Sequence, residues 1–211
     1  MRKTIHWMCW TCVLAGLSAC APTEPQGADR GPALFETCAT CHGPEGAGVE
    51  EYHAPAIAGL PEWYLQAQLH KFHDGVRGAH PDDTQGLRMR GMARTLRHEG
   101  DIEAVSAYVA ALPRQRPTGG VTGNATRGAE LFATCVQCHG ERGTGDETRG
   151  APPIAGMEPW YVFTQLSSFK SGVRGTEARD ETGATMRPMT LGLSESDMND
   201  LAAHLVALGQ Q

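Results

Sequence analysis

The chain has 211 residues, 40% apolar and 20% charged, which excludes an intrinsically disordered protein and allows one domain or two small ones. Aromatic residues make up only 6%, so two all-protein cores would be thin, and a large apolar cofactor would fill them. The net charge of −6 becomes −8 once Arg2 and Lys3 are lost with the first 19 residues; this argues against nucleic acid as a partner and is compatible with docking onto a basic protein surface.

Arg2 and Lys3 precede an apolar run from Ile5 to Leu17, and small residues follow, the pattern of an export signal over residues 1–19. The run is shorter than the roughly 20 residues of a membrane span. Leu17-Ser18-Ala19-Cys20 resembles the bacterial lipobox, which makes Cys20 the lipidated first residue of the mature chain. Residues 20–29 then tether the remainder to a membrane, inner or outer, on its periplasmic side. An ordinary signal peptide or an uncleaved anchor is the alternative. Cys9 and Cys12 fall in the discarded segment, so four cysteines remain for the body of the protein.

From about Arg30 to Leu96 the chain repeats without a gap at an offset of 97. Arg30-Gly31 returns as Arg127-Gly128, Trp63-Tyr64 as Trp160-Tyr161, and Gly75-Val76-Arg77-Gly78 as Gly172-Val173-Arg174-Gly175. A period this long means two copies of one domain, residues 30–113 and 126–211, rather than a solenoid. Residues 114–125, rich in Pro and Gly, read as the linker.

In copy one a short helix, Pro32 to Cys38, leads into Cys38-Ala39-Thr40-Cys41-His42. Leu65, Leu69 and Phe72 give helical spacing to Glu62–His73, and the last helix runs from Asp101 to Leu112. Copy two repeats this with Ala129 to Cys135, Pro159 to Ser171 carrying Val162, Leu166 and Phe169, and Glu195 to Leu208, for which Ser194 and Asp197 form a capping pair. The stretches between are Gly-rich and read as long loops, and no strand is convincing.

Cys-x-x-Cys-His is the attachment signature of c-type haem, and Cys135-Val136-Gln137-Cys138-His139 repeats it. Two thiols add to the two vinyl groups on one side of the porphyrin while the adjacent imidazole reaches the iron. Two disulfides, a zinc site or a redox dithiol could use four cysteines, but zinc needs two more ligands per site and a dithiol does not need the histidine. Two covalently bound haem c groups are therefore expected, with His42 and His139 on the iron. The second axial ligand should recur in both copies. His70, His73 and His80 do not, since Ser167, Lys170 and Glu177 replace them; Met89 and Met92 recur as Met186 and Met189. One methionine of each pair fits the iron and the other fits packing around the porphyrin. Arg77 and Arg174 suit either haem propionates or a solvated turn, and Trp63 and Trp160 either propionates or the core.

The sequence resembles the tandem class I cytochromes c of the dihaem cytochrome c4 type. The resemblance rests on CxxCH, the Pro-x-Ile-x-Gly stretches at Pro55 and Pro152, Trp-Tyr with the downstream Gln68 and Gln165, and Met-x-x-Met before the final helix. It implies an all-α fold of two domains, each wrapped around one haem. It further implies Met89 and Met186 as axial ligands, and the carbonyls of Pro55 and Pro152 as acceptors for the proximal imidazoles. Histidine–methionine ligation favours ferrous iron and leaves no open position, which suits one-electron transfer rather than catalysis. The expected role is a non-enzymatic carrier between electron-donor and electron-acceptor proteins, from a quinol-oxidising complex or dehydrogenase to a terminal oxidase, with no small-molecule substrate. The alternative is a fixed cytochrome subunit of a larger membrane-bound oxidoreductase.

Overall fold

The computed structural model describes Gly27 and residues 30–115 and 120–210; the expected signal and lipidation site at Cys20 lie outside the described residues. The first domain comprises α1 (Arg30–His42), α2 (Glu62–His73), α3 (Thr84–Ala93) and α4 (Asp101–Ala111). The second comprises α5 (Ala125–Phe132), α6 (Val136–His139), α7 (Pro159–Ser171), α8 (Glu181–Met186) and α9 (Glu195–Leu208). Among the described residues there are no strands beyond two isolated bridges, Val49 with Ala54 and Asp146 with Ala151, so the fold is all-α. No described helix is long and apolar enough to cross a membrane.

Each domain is built on the crossing of its first and last helices, and glycine allows that crossing. A Cβ at Gly31 would lie 2.5 Å from the Ala104 carbonyl oxygen of α4, and one at Gly128 would collide with the Asp200 carbonyl of α9. Phe35 and Phe132 fill the crossings at 3% exposure each, a burial contributing about 2 kcal/mol apiece. One ion pair bridges the same two helices in each copy: Arg30 Nε to Asp101 Oδ1 at 2.9 Å, and more loosely Arg127 to Asp197 at 3.9 Å. At the start of α9 the Ser194 side chain accepts from the Asp197 amide while the Asp197 carboxylate accepts from the Ser194 amide, so the expected capping pair forms reciprocally.

The structure corrects the sequence reading in two places. The leading helix of copy one begins at Arg30 and runs unbroken through the CxxCH to His42, whereas copy two divides into α5 and α6. The segments carrying Met89 and Met186 are helical, not loops. Asp83 and Asp180 start them by accepting from the amides of Gly86 (2.8 Å) and Gly183 (3.1 Å), and those glycines leave room for the carboxylates. The linker is also anchored at its start, where Arg114 packs against Gly59 and its guanidinium donates to the Ala155 carbonyl of the second domain at 2.8 Å.

Met157 packs against both apolar cores, and polar bonds cross between the domains around it. Lys71 donates to Asp180 and Thr182, the Ala56 amide donates to Glu158, and His53 meets the edge of Trp160 with ring centroids 6.1 Å apart.

Candidate functional site

Each domain encloses a largely apolar cavity, and the expected site residues gather on its walls. In the first domain Cys38, Cys41, His42, Pro55, Arg77, Met89 and Met92 line it. In the second, Cys135, Cys138, His139, Pro152, Arg174, Met186 and Met189 do. The cavities open toward each other: Gln165, Ser168 and Arg174 of the second domain line the first, while Tyr64 and Gln68 of the first line the second.

One wall is fixed by a buried histidine. His42 and His139 end α1 and α6 at 5% and 7% exposure. Their Nδ1 atoms lie 2.7 Å from the Pro55 carbonyl and 2.8 Å from the Pro152 carbonyl. A carbonyl only accepts, so Nδ1 carries the proton and Nε2 keeps its lone pair. Burial pushes both imidazoles below their ordinary pKa, which keeps them neutral as a metal ligand must be. The cysteines stand on the same helical turn and are not paired in disulfides; Cys41 is exposed, and burial pushes the Cys38 and Cys135 thiols up. The facing methionines come from α3 and from the segment starting with α8. Met89, Met92 and Met186 are half-buried, while Met189 is 50% exposed.

At the domain junction the lining turns polar. The Arg77 guanidinium lies over the Phe72 ring and that of Arg174 over Phe169, each 4.3 Å from the ring centroid. Arg77 Nη1 donates to Gln68 at 2.6 Å and Arg174 donates to Gln165, so each cation leans on its own domain's glutamine. Burial and the neighbouring Arg77 pull Arg174 down to about 10, and burial pushes the Tyr64 hydroxyl up to about 12. The Nε atoms of Arg77, Arg174, Arg90 and Arg187 are buried without a hydrogen-bond partner among the described residues.

These features fit haem. A flat apolar group with two carboxylates would fill the cavities and give the unpartnered guanidinium nitrogens anionic acceptors. Arg77 is thus buried and Arg174 half-buried at the junction, not in solvated turns. Tyr64 and Tyr161 line the cavities where Trp63 and Trp160 do not. The signal for this was the four-residue step from each tyrosine to Gln68 or Gln165, which puts both on one helix face. His70, His73 and His80 line neither cavity; their side chains are 52%, 39% and 36% exposed. The interdomain contacts of Lys71 and Glu158 have no signal in the repeat, because neither residue recurs in it.

Comparison with known proteins gives the same picture. The cytochrome c family matches residues 28–113 and again 125–209. A thiosulfate dehydrogenase electron acceptor of Stutzerimonas stutzeri is 29% identical over 99% of this chain and 98% of its own. Cytochrome c4 of Pseudomonas aeruginosa is 28% identical over 99% of this chain and all of its own. Among solved structures, the thiosulfate dehydrogenase of Marichromatium purpuratum superposes with a TM-score of 0.68 at 32% identity, covering 85% of this chain and 40% of that longer one.

Proposed function

The chain belongs to the cytochrome c family as a tandem dihaem member of the cytochrome c4 type, and from that premise we propose which residues make its two sites and where it works. It binds two haem c groups covalently and transfers electrons between redox partners. When bound, haem supplies a one-electron iron couple at each site.

Cys38 and Cys41, with Cys135 and Cys138, hold the porphyrins by thioether bonds. With haem bound, His42 and His139 would ligate the iron, and Met89 and Met186 would supply its second protein ligand. The carbonyls of Pro55 and Pro152 fix the imidazole planes, and Arg77 and Arg174 receive the propionates. A single observation carries this reading: in both domains a proline-oriented histidine and a methionine pair from a separate segment line one apolar cavity. With imidazole and thioether both supplied by the protein to each iron, the chain would act as a carrier and not as an enzyme.

The carrier works in the bacterial periplasm, held to a membrane by a lipid on Cys20. Relatives named as thiosulfate dehydrogenase electron acceptors support a dehydrogenase as the donor; an oxidase would take the electrons. A second reading, a fixed subunit of a larger oxidoreductase, is favoured by the match to 40% of a longer thiosulfate dehydrogenase chain. Purification from membranes in mild detergent separates the two, since catalytic chains accompany a subunit and not a carrier. Spectra test the sites: both haems are expected low-spin, with the methionine-to-iron charge-transfer band when oxidised. Rapid binding of cyanide or carbon monoxide by a high-spin haem would overturn the closed-site assignment.

A further inference from the structure

The two sites differ in one respect that the repeat itself exposes. In the first domain the Pro55 carbonyl accepts from His42 Nδ1 at 2.7 Å, and the amide of the same peptide unit, Ala56 N–H, donates to Glu158 Oε1 of the second domain at 2.6 Å. Imidazole, peptide and carboxylate form one hydrogen-bonded chain across the domain boundary. In the second domain the Pro152 carbonyl accepts from His139 in the same way, but the residue after it is Pro153, whose nitrogen has no hydrogen to give. The position equivalent to Glu158 is Pro61, which has no carboxylate. The structure also leaves space for this carboxylate: a Cβ at Gly48 would lie 2.9 Å from Glu158 Oε1.

We infer that Glu158 is a positioning residue of the second domain that tunes the haem of the first, acting on His42 through the peptide between Pro55 and Ala56. This rests on His42 being the proximal ligand. A carboxylate accepting from one end of a peptide unit makes the carbonyl at its other end a stronger acceptor, because hydrogen bonds in a chain polarise one another. The stronger acceptor draws on the Nδ1 proton, raises imidazole basicity and favours ferric iron. The N-terminal haem is therefore harder to reduce than its own domain alone would make it, and only while the domains are docked. Glu158 is half-buried, and burial raises its pKa although Arg114 and the Ala56 amide oppose that shift. Arg114 and Glu50 are the charged groups that face it. Protonation removes the charge at the end of the chain, so the first haem becomes easier to reduce relative to the second as pH falls.

The test is a haem-resolved redox titration of the full-length holoprotein, following haem methyl signals by NMR during stepwise reduction. E158Q is expected to raise the ferrous-to-ferric ratio of the N-terminal haem several-fold at a given poise, to leave the C-terminal haem in place and to remove the relative pH dependence. A56P keeps the carboxylate but removes the amide hydrogen, as Pro153 does, and is expected to shift the same haem in the same direction. An equal shift of both haems in E158Q would mean a bare charge acting through space, and would overturn the proposal. An unmoved first haem in either correctly folded variant also overturns it. A wild-type protein lacking low-spin haem signatures would instead remove the ligand assignment on which the proposal rests.

Discussion

Lys71 of the first domain donates to the carboxylate of Asp180 in the second at 2.6 Å, and Asp180 is the residue that caps α8, the helix ending at Met186. The repeat has no counterpart, because the position equivalent to Lys71 is Ser168, whose hydroxyl bonds back to Thr164 of its own helix. Lys71 also donates to Thr182 at 2.5 Å, and Arg179 reaches the Asp74 carbonyl at 3.4 Å. The helix that delivers the second domain's methionine is thus held at its start by the end of the first domain's α2.

Replacing Lys71 should therefore loosen the second site selectively. K71A leaves Asp180, 1% exposed, with only its capping bond and the field of Arg174, at a cost of about 2 kcal/mol. Denaturant unfolding of the holoprotein should show this loss. The methionine charge-transfer band of the C-terminal haem should disappear at lower denaturant than that of the N-terminal haem. Equal loss from both haems would show that the clamp does not act on α8.

Acid should act on the same contacts. Lys71 and the Gly183 amide hold Asp180 below the ordinary carboxylate range against the opposing effect of burial, and the His98 amide and Arg30 do the same for Asp101. A carboxyl whose folded pKa is depressed contributes stability that is fully present above its unfolded value and is lost as pH falls through the folded one. Stability is therefore expected to hold down to about pH 4 and to fall below it. D180N should flatten part of that decline, read from unfolding midpoints across the acid range.

The chemistry was legible in the sequence because it is carried by contiguous residues and repeated twice. CxxCH sits on a single helical turn, and the offset of 97 selected the pairs Met89 with Met92 and Met186 with Met189 over unrepeated histidines such as His70, while the choice of Met89 and Met186 within them rests on the family resemblance. The helices bearing those methionines were not legible. Their apolar residues show little period, and their starting signal is an aspartate three residues before a glycine, Asp83 with Gly86 and Asp180 with Gly183, rather than an amphipathic stripe. The docking of the domains was legible least of all. Lys71, Glu158 and His53 break the repeat, so internal comparison does not single them out, yet each makes a contact across the junction. His53 even holds a left-handed backbone, φ 52°, where the other copy has Gly150.

Membrane attachment has its own test, since Cys20 lies outside the described residues. C20S removes the thiol that a lipid would occupy while leaving both haem domains untouched. The variant should appear in the soluble periplasmic fraction with unaltered haem spectra. A variant that stays with the membrane is attached some other way, through an uncleaved leader or a protein partner.

The methionine assignment can be settled one side chain at a time. Met89 and Met92 both line the first cavity, three residues apart on α3, so placement on the wall does not by itself distinguish ligand from packing neighbour. Chemistry does. Thioether sulfur favours ferrous iron, and a second imidazole in its place favours ferric iron. M89H should lower the potential of the N-terminal haem, keep it low-spin and remove its charge-transfer band, while the C-terminal haem titrates as before. M92L should keep the band and cost no more than the about 1.5 kcal/mol of a volume-conserving swap in a packed wall. If M92L loses the band and M89H keeps it, the ligand is the second methionine of the pair, and Met189 then replaces Met186 in the other domain.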